Sequence, residues 1–307
     1  MSRLFGTDGV KGIANIELTA ELAFKLGQAG ALVLCKKQGI SPRILVGRDT
    51  RISGHMLEAA LVSGMCSVGA HVESVGVIPS PAIAYLVKKY KMDAGVSISA
   101  SHKTMEYNGI KFFDCNGCKI DADTEDTIES YVRGKEKMPP AKTGGELGRV
   151  SRTHTALRDY VDLVKATVGS DLSGMKVAID CANGAAFECA KLCFKELGAD
   201  VEMLNNVPNG VNINDNCGSA HMEALSKFVP SHKCSFGIAM DGDGDHLVAC
   251  DEKGVVVSSD TIFRICASHL DDRNAAKNDG LVAAVTLAGI YKAKGTSMSK
   301  LAGEYSV

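Results

Sequence analysis

Short apolar runs and stretches of helical spacing take turns along the first part of the chain. Apolar runs over residues 43–47, 71–77 and 94–99 predict three buried strands. Helical spacing predicts helices over residues 18–38, over 82–91, and from a capping Ser53 to about Gly69. Such alternation is typical of βαβ units and a mostly parallel sheet.

The pattern restarts twice after a segment rich in Lys, Pro and Gly over residues 134–148, which we interpret as a linker. The first restart has a helix over 153–168, strands over 176–180 and 200–204, and a helix between them over 185–197. The second has a strand over 255–257, a helix near 260–270 and a strand over 281–285. The predicted fold class is therefore α/β, with mixed, mostly parallel sheets in successive domains 1–140, 153–254 and 255–307, the last of them partial.

Three aspartates separated by single glycines, Asp241, Asp243 and Asp245, lie between two apolar runs. Carboxylates held close together repel one another unless a cation neutralises them. Glycine lets the backbone curl, so alternate carboxylates can face one centre. Oxygen-only ligands favour a hard ion such as Mg²⁺ or Ca²⁺. The sequence therefore predicts a metal site here.

Two alternatives to this interpretation stay open. In an EF-hand, the three aspartates and Glu252 would occupy loop positions 1, 3, 5 and 12, but position 6, where that motif needs glycine, is His246. The flanking residues also predict strands, whereas an EF-hand has helices there. The other alternative is a solvated acidic turn that holds no metal.

Three further segments have polar residues in loops, and each is a weak signal alone. Ser101 and His102 follow a predicted strand, but adjacent residues seldom form a nucleophile–base pair and most loop serines only satisfy backbone groups. Lys11 lies in the glycine-rich segment 5–12, which either turns N–H groups toward a phosphate or is simply a turn. The segment 47–54 predicts an Arg–Asp pair that braces a loop before a helix.

Composition and charge limit the kinds of partner that this chain is expected to bind. The net charge is −2, with 34 basic and 36 acidic residues and no polybasic run, which disfavours nucleic acid. Apolar runs fall short of the ~20 residues that span a bilayer, and the N-terminus has no apolar signal region, so we expect a soluble cytoplasmic protein with no membrane partner.

The eleven cysteines are odd in number and scattered, which favours reduced thiols. Cys115 and Cys118 enclose Asn116-Gly117, a hairpin-turn signal. A single cysteine pair cannot make a four-thiolate site, so we interpret this segment as a β-turn and not as a zinc or redox site.

Seven segments, taken together and in order, identify a protein family more specifically than any one of them does alone. In chain order they are Phe-Gly-Thr-Asp-Gly (5–9), Gly-Arg-Asp-Thr-Arg-Ile-Ser-Gly (47–54), Ile-Ser-Ala-Ser-His (98–102), Asn-Gly-Ile-Lys-Phe-Phe (108–113), Asp-Cys-Ala-Asn-Gly (180–184), Asn-Ile-Asn-Asp-Asn-Cys-Gly (212–218) and Asp-Gly-Asp-Gly-Asp (241–245). With these segments the chain resembles the α-D-phosphohexomutases from Arg3 to about Tyr305, and most closely the bacterial members that act on glucosamine phosphates.

The resemblance implies a phosphoserine at Ser101 and a Mg²⁺ ion bound by that phosphate together with Asp241, Asp243 and Asp245. It implies conversion of glucosamine 6-phosphate to glucosamine 1-phosphate, with glucosamine 1,6-bisphosphate as intermediate and activator. Phosphoryl transfer needs charge stabilisation and alignment more than covalent help, and the implied parts supply both. The fold implied is phosphohexomutase-like, with the third domain incomplete and the fourth absent.

The resemblance also implies roles for three side chains beside the phosphoserine. Lys111 corresponds to the lysine that does general acid–base work, and His102 is expected to orient the phosphoserine. Lys11 replaces the family's usual arginine, which keeps the charge but loses the bidentate fork.

Several positions depart from the family pattern. Lys103-Thr104 replaces Asn-Pro, His246 replaces the arginine after the aspartate loop, and Leu287-Ala-Gly289 replaces Met-Ser-Asn. A histidine near neutral pH is only partly charged and cannot hold two oxygens at once.

The chain also lacks the family's late Glu-x-Ser-Gly-His sugar loop and Arg-x-Ser-Gly phosphate loop. We therefore expect severely reduced turnover and self-association through the incomplete third domain. The alternatives are an impaired homologue that only binds metal and phosphate, or a phosphoglucomutase or phosphomannomutase.

Overall fold

The computed structural model describes residues 3–34, 41–168, 171–268 and 278–305. The chain folds into two compact units, Met1–Ala156 and Leu157–Val307. Within the described residues, helices long and apolar enough to cross a membrane are absent.

The first unit is built on a six-stranded sheet with the order β1-β5-β4-β2-β3-β6. The strands are β1 (Val10–Ile13), β2 (Arg43–Arg48), β3 (His71–Val77), β4 (Ala94–Ile98), β5 (Tyr107–Phe113) and β6 (Val150–Arg152). β2 pairs in parallel with β3 and β4, β3 pairs in parallel with β6, and β5 runs antiparallel between β1 and β4. Ile44, Leu45 and Val46 of β2 are fully buried, as expected for a central strand with both faces covered.

Helices accompany this sheet. They are α1 (Ala20–Leu34), α2 (Ser53–Ser67), α3 (Ser80–Lys89) and α4 (Ala122–Val132), with a 3₁₀ turn at Gly144–Glu146. The first three correspond to predicted helices, whereas α4 was not predicted. One detail of the sequence interpretation is wrong. Ser53 does not cap α2: Ile52 is the N-cap, and the Ser53 hydroxyl instead accepts a hydrogen bond from Asn108 Nδ2 at 2.9 Å. The segment 134–148 leads into β6, which the sequence interpretation missed because it is only three residues long and exposed.

The second unit has a five-stranded sheet with the order β11-β10-β9-β7-β8. The strands are β7 (Lys176–Asp180), β8 (Asp200–Leu204), β9 (Phe236–Met240), β10 (Leu247–Cys250) and β11 (Val256–Val257). β7 pairs in parallel with β8 and β9, while β10 runs antiparallel to β9 and β11. The helices are α5 (Ala156–Ala166), α6 (Phe187–Glu196), α7 (Glu223–Ser231), α8 (Ser259–Ala267), α9 (Gly280–Lys294) and α10 (Met298–Tyr305), with a 3₁₀ turn at Gly218–Ala220.

The predicted mixed α/β fold is confirmed, but the strand predicted over residues 281–285 is wrong. That segment begins α9, whose residues from Gly280 to Ile290 are all buried. A helix that is apolar on every side has no helical period to detect, so a short apolar run inside it resembles a buried strand. Residues 255–268 and 278–305 pack within the second unit. The separate third domain from residue 255 stays a prediction.

Candidate functional site

Ser101 lies in the loop that follows β4, and its backbone has a left-handed φ of 52°. Few non-glycine residues adopt this conformation, and such strain is found where a site needs a particular presentation. The side chain is buried except for 6% of its surface, and Oγ lies 3.5 Å from Nδ1 of the exposed His102. The strand-to-loop position predicted for Ser101 is therefore observed.

A buried ion pair lies beneath this loop. Arg51 Nε donates to Asp49 Oδ2 at 2.8 Å, and both side chains are inaccessible to solvent. The guanidinium also donates to four carbonyl oxygens of the loop, those of Ser101, Lys103, Thr104 and Tyr107. The predicted Arg–Asp pair is confirmed, although the loop that it braces is the serine loop and not only the loop before α2.

Lys11 and Lys111 meet at one carboxylate that the sequence interpretation did not single out, Asp8. Lys11 Nζ lies 2.8 Å from Asp8 Oδ2, and Lys111 Nζ lies 3.4 Å from Oδ1. Partial burial works to raise the pKa of Asp8, but the hydrogen bond from Lys11 and the charges of both lysines outweigh it and lower that pKa. The pairing of β1 with β5 brings the two lysines together on one sheet. The signal for Asp8 was its place in the glycine-rich segment beside Lys11.

In the second unit, Asp241, Asp243 and Asp245 occupy the connection between β9 and β10. One carboxylate oxygen from each lies within 4.8 Å of the others, and Asp241 and Asp243 are buried. Gly244 adopts a φ of +72°, which permits the tight return of the chain. The flanking elements are antiparallel strands, so the EF-hand alternative is wrong. Glu252, its twelfth position, instead accepts hydrogen bonds from the backbone and hydroxyl of Ser299.

The loop after β7 packs against the aspartate loop. A Cβ at Gly184 would lie 2.5 Å from the Gly242 carbonyl oxygen, so only glycine permits this approach. Asp180, at the end of β7, accepts hydrogen bonds from the backbone of Ala182 and Gly218 and from Asn205 Nδ2. Burial raises the pKa of Asp180, although these hydrogen bonds oppose the shift. Asp180 thus connects three loops beside the aspartates, a role that its motif did not reveal.

Two further contacts join the aspartate loop to the starts of α8 and α9. His246 Nε2 lies 3.0 Å from the Ser259 hydroxyl at the start of α8. The backbone N–H of Gly280, at the start of α9, donates to the Gly244 carbonyl at 3.0 Å. His246, which replaces an arginine of the family pattern, is thus bonded within its own unit.

Asp279 caps α9 by accepting hydrogen bonds from the backbone of Leu281 and Val282. The Tyr160 hydroxyl donates to both of its carboxylate oxygens, at 2.8 and 3.0 Å. Burial raises the pKa of Asp279 to about 6, although these hydrogen bonds oppose the shift. Burial and the neighbouring Asp279 charge raise the pKa of Tyr160 well above its usual value.

Asp279→Asn is expected to remove a pH dependence of stability. Because the folded-state pKa of Asp279 lies above the unfolded value of 3.8, its contribution to stability falls as pH rises from about 4 to about 6. Two pKa units correspond to about 3 kcal/mol, and asparagine keeps the cap without the charge. Urea unfolding at pH 4 and pH 7 should show a smaller fall in the free energy of unfolding for the variant. An unchanged slope in Asp279→Asn would contradict the assignment.

The cysteine pair forms the predicted turn. The backbone of Gly117 donates to the Asp114 carbonyl at 2.9 Å, and Asp114 Oδ1 accepts from the backbone of Asn116 and Cys118. Cys115 and Cys118 are exposed on this turn.

The three aspartates fit a divalent cation by the chemistry of their donors. Three carboxylates present only oxygen, which Mg²⁺ prefers over softer ligands. In residues 3–34, 41–168, 171–268 and 278–305, this is the one group of three or more His, Cys, Asp or Glu side chains close enough to share an ion. Ser101 belongs to the first unit and the aspartates to the second, so their sharing of one ion stays a prediction.

Comparison with known proteins identifies the family. Residues 2–138 match the sequence model described as phosphoglucomutase/phosphomannomutase, alpha/beta/alpha domain I, and residues 158–254 match that of domain II. Phosphoglucosamine mutase of Clostridium novyi (strain NT) is 54% identical over 285 residues, which cover 93% of this chain and 63% of that protein. The chain thus spans about 63% of the length of this curated relative.

Solved structures agree on the fold. A phosphoglucomutase/phosphomannomutase family protein from Burkholderia thailandensis matches with a TM-score of 0.83 at 20% identity, covering 99% of this chain and 80% of that one. The N-acetylphosphoglucosamine mutase of Aspergillus fumigatus, solved with GlcNAc-6P and magnesium, matches with a TM-score of 0.62 at 12% identity, covering 99% and 80%. The chain belongs to the phosphoglucomutase/phosphomannomutase family, the α-D-phosphohexomutases.

Proposed function

We propose that this chain carries the phosphoryl-donor and metal-binding parts of a phosphoglucosamine mutase. The reaction is the conversion of glucosamine 6-phosphate to glucosamine 1-phosphate through a phosphoserine at Ser101. The observation that carries the proposal is the convergence of Asp241, Asp243 and Asp245 to within 4.8 Å in the unit that matches the family's domain II. The name of the Clostridium novyi relative supports the choice of sugar.

The three aspartates would hold Mg²⁺ in the proposed site. When bound, the ion supplies positive charge that stabilises the oxygens of a phosphoryl group during transfer. The magnesium in the Aspergillus fumigatus structure supports the choice of metal. In this chain the aspartate loop contacts both the Gly184 turn and the start of α9. A loop fixed in this way keeps its carboxylates in place before any ligand binds, which reduces the cost of ordering them.

The first unit would supply the nucleophile and two cations. Ser101 Oγ accepts the phosphoryl group, and the left-handed turn fixes its direction. Lys11, Lys111 and Asp8 together carry one net positive charge, which favours a phosphorylated sugar nearby. Lys111 is the candidate proton carrier, because its side chain is mostly shielded from solvent, at 11% exposed, and is held by Asp8.

The chemistry is two reciprocal transfers. O1 of glucosamine 6-phosphate bonds to the phosphorus on Ser101 as the Oγ–P bond breaks; the O1 proton passes to the base, and Ser101 Oγ takes up a proton as it leaves. The resulting 1,6-bisphosphate reorients, and its 6-phosphoryl group returns to Ser101 Oγ, which gives up its proton while O6 takes one up. The serine ends phosphorylated, as it began, and the sugar phosphate has been isomerised.

Incubation with glucosamine 1,6-bisphosphate and Mg²⁺ is expected to phosphorylate Ser101. Intact-mass measurement should show one added phosphoryl group, and peptide fragmentation should place it at residue 101. Ser101→Ala should remain unlabelled, and a chelator should prevent labelling of the wild type. Glucose 1,6-bisphosphate in a parallel reaction distinguishes a preference for glucosamine from one for glucose.

Ser80→Ala is a matched control, because it removes another buried hydroxyl of the first unit, one that bonds Ser97 Oγ at 2.7 Å. It should be labelled like the wild type. Absence of phosphate on the wild type, or equal labelling of Ser101→Ala, would refute the assignment of the nucleophile.

A further inference from the structure

The amide side of residue 101 is held by a relay of two side chains. The backbone N–H of Ser101 donates to Ser99 Oγ at 3.1 Å. Ser99 Oγ in turn donates to Asp49 Oδ2 at 2.5 Å. Ser99 and Asp49 are both buried, so water competes little for either hydrogen bond.

The carbonyl side of the same residue is held by the partner of Asp49. Arg51 Nη2 donates to the Ser101 carbonyl at 3.0 Å and to the Lys103 carbonyl at 2.7 Å. Nη1 donates to the carbonyls of Thr104 and Tyr107 further along the loop. A planar guanidinium presents its donors in a fixed fork, so these carbonyls are fixed relative to one another.

The hydrogen bonds on the amide side and on the carbonyl side of Ser101 therefore both lead to a single ion pair. Arg51 Nε meets Asp49 Oδ2 at 2.8 Å, and the Arg51 backbone N–H donates to Asp49 Oδ1 at 2.9 Å. The peptide groups on either side of Ser101 are therefore both hydrogen-bonded, directly or through Ser99, to the buried Asp49–Arg51 pair. A strained backbone conformation persists only where surrounding interactions hold it in place, and these hydrogen bonds hold the left-handed conformation of Ser101.

We propose that Asp49, Arg51 and Ser99 are positioning residues, which hold the backbone of Ser101 so that its hydroxyl is presented for phosphoryl transfer. The proposal rests on the proposed function in that the group presented is the phosphoryl acceptor. It adds that the rate of transfer depends on side chains that touch neither sugar nor metal. Misplacing a reacting group by about 1 Å can cost about 100-fold in rate, so a small loosening of this loop is measurable.

Ser99→Ala is the variant that tests this, because it cuts the relay while leaving the ion pair intact. Hydrogen exchange of the peptide containing the Ser101 amide should become about fivefold faster, as expected for the loss of one buried hydrogen bond. Labelling of Ser101 at saturating glucosamine 1,6-bisphosphate and Mg²⁺ should slow by about tenfold or more. Ser80→Ala, the same chemical deletion elsewhere in the unit, should change neither quantity.

A wild-type rate of hydrogen exchange at the Ser101 amide in Ser99→Ala would overturn the proposal. Faster exchange together with a wild-type rate of Ser101 phosphorylation would also overturn it. Equal slowing in Ser80→Ala would also overturn it, because the effect would then be one of general stability. If the wild type takes up no phosphate, the proposed function fails and the presentation role fails with it. The exchange measurement still decides separately whether the relay holds the loop.

Discussion

Asp243→Asn is expected to weaken Mg²⁺ binding by at least about 100-fold, since outer partners of metal ligands alone contribute about 10–100-fold. Asparagine keeps the shape and one oxygen but removes the charge that offsets the cation. Calorimetric titration with Mg²⁺, or paramagnetic resonance with Mn²⁺ as its substitute, measures the affinity directly. The stabilisation that the metal gives to the wild type, about 2.7 kcal/mol at 100 times the wild-type dissociation constant, should fall to about 0.4 kcal/mol or less at the same concentration.

The metal-free Asp243→Asn protein should be no less stable than the metal-free wild type, because one of three mutually repelling carboxylates is gone. Asp215→Asn is the matched control, because Asp215 is an exposed aspartate of the same unit that bonds Asn216. It should bind metal like the wild type. Wild-type affinity in Asp243→Asn would show that the aspartate loop is not the metal site.

Arg51→Met is expected to destabilise the first unit by about 3–5 kcal/mol, the range for breaking one half of a buried ion pair. Methionine fills much of the volume but leaves Asp49 buried without its cation and the loop carbonyls without their donor. Burial already raises the pKa of Asp49 with Arg51 present, so the variant is expected to bind a proton at that carboxyl. Urea unfolding measures the loss.

A double-mutant cycle with Asp49→Asn isolates the pair. Because each single change strands a buried partner, the double variant should lose less than the sum of the two, with a coupling of about 1–3 kcal/mol. Lys142→Met removes the cation of an exposed ion pair with Glu146 in the same unit and should cost about 1 kcal/mol or less. Additive losses would contradict a direct Arg51–Asp49 interaction.

Three strands were predictable from the sequence to the residue: His71–Val77, Lys176–Asp180 and Asp200–Leu204 begin and end where the pattern predicts. Two elements show why others were missed or assigned to the wrong type. β6 is short and exposed, so it has no apolar signature, and its position depends on pairing with β3. α9 is apolar throughout, so its helical period is invisible.

The convergence of the three aspartates was predictable because they lie in one short segment. The spacing of the Asp-Gly-Asp-Gly-Asp loop predicts its geometry, because alternate aspartates separated by glycine can converge within the loop itself. Asp8, Asp180 and the tie between Arg51 and the serine loop depend on contacts between segments distant in sequence. Such contacts depend on strand order and register, which cannot be read from the spacing of residues within one segment.

The start of α9 has a further consequence for the aspartate loop. The domain II match stops at residue 254, yet α9 packs on α6, α8, β9 and β10 and donates a backbone hydrogen bond to Gly244. In this chain the packing around the aspartates therefore continues past the end of that match. A fragment cut at residue 254 would leave the Gly244 carbonyl without this backbone donor.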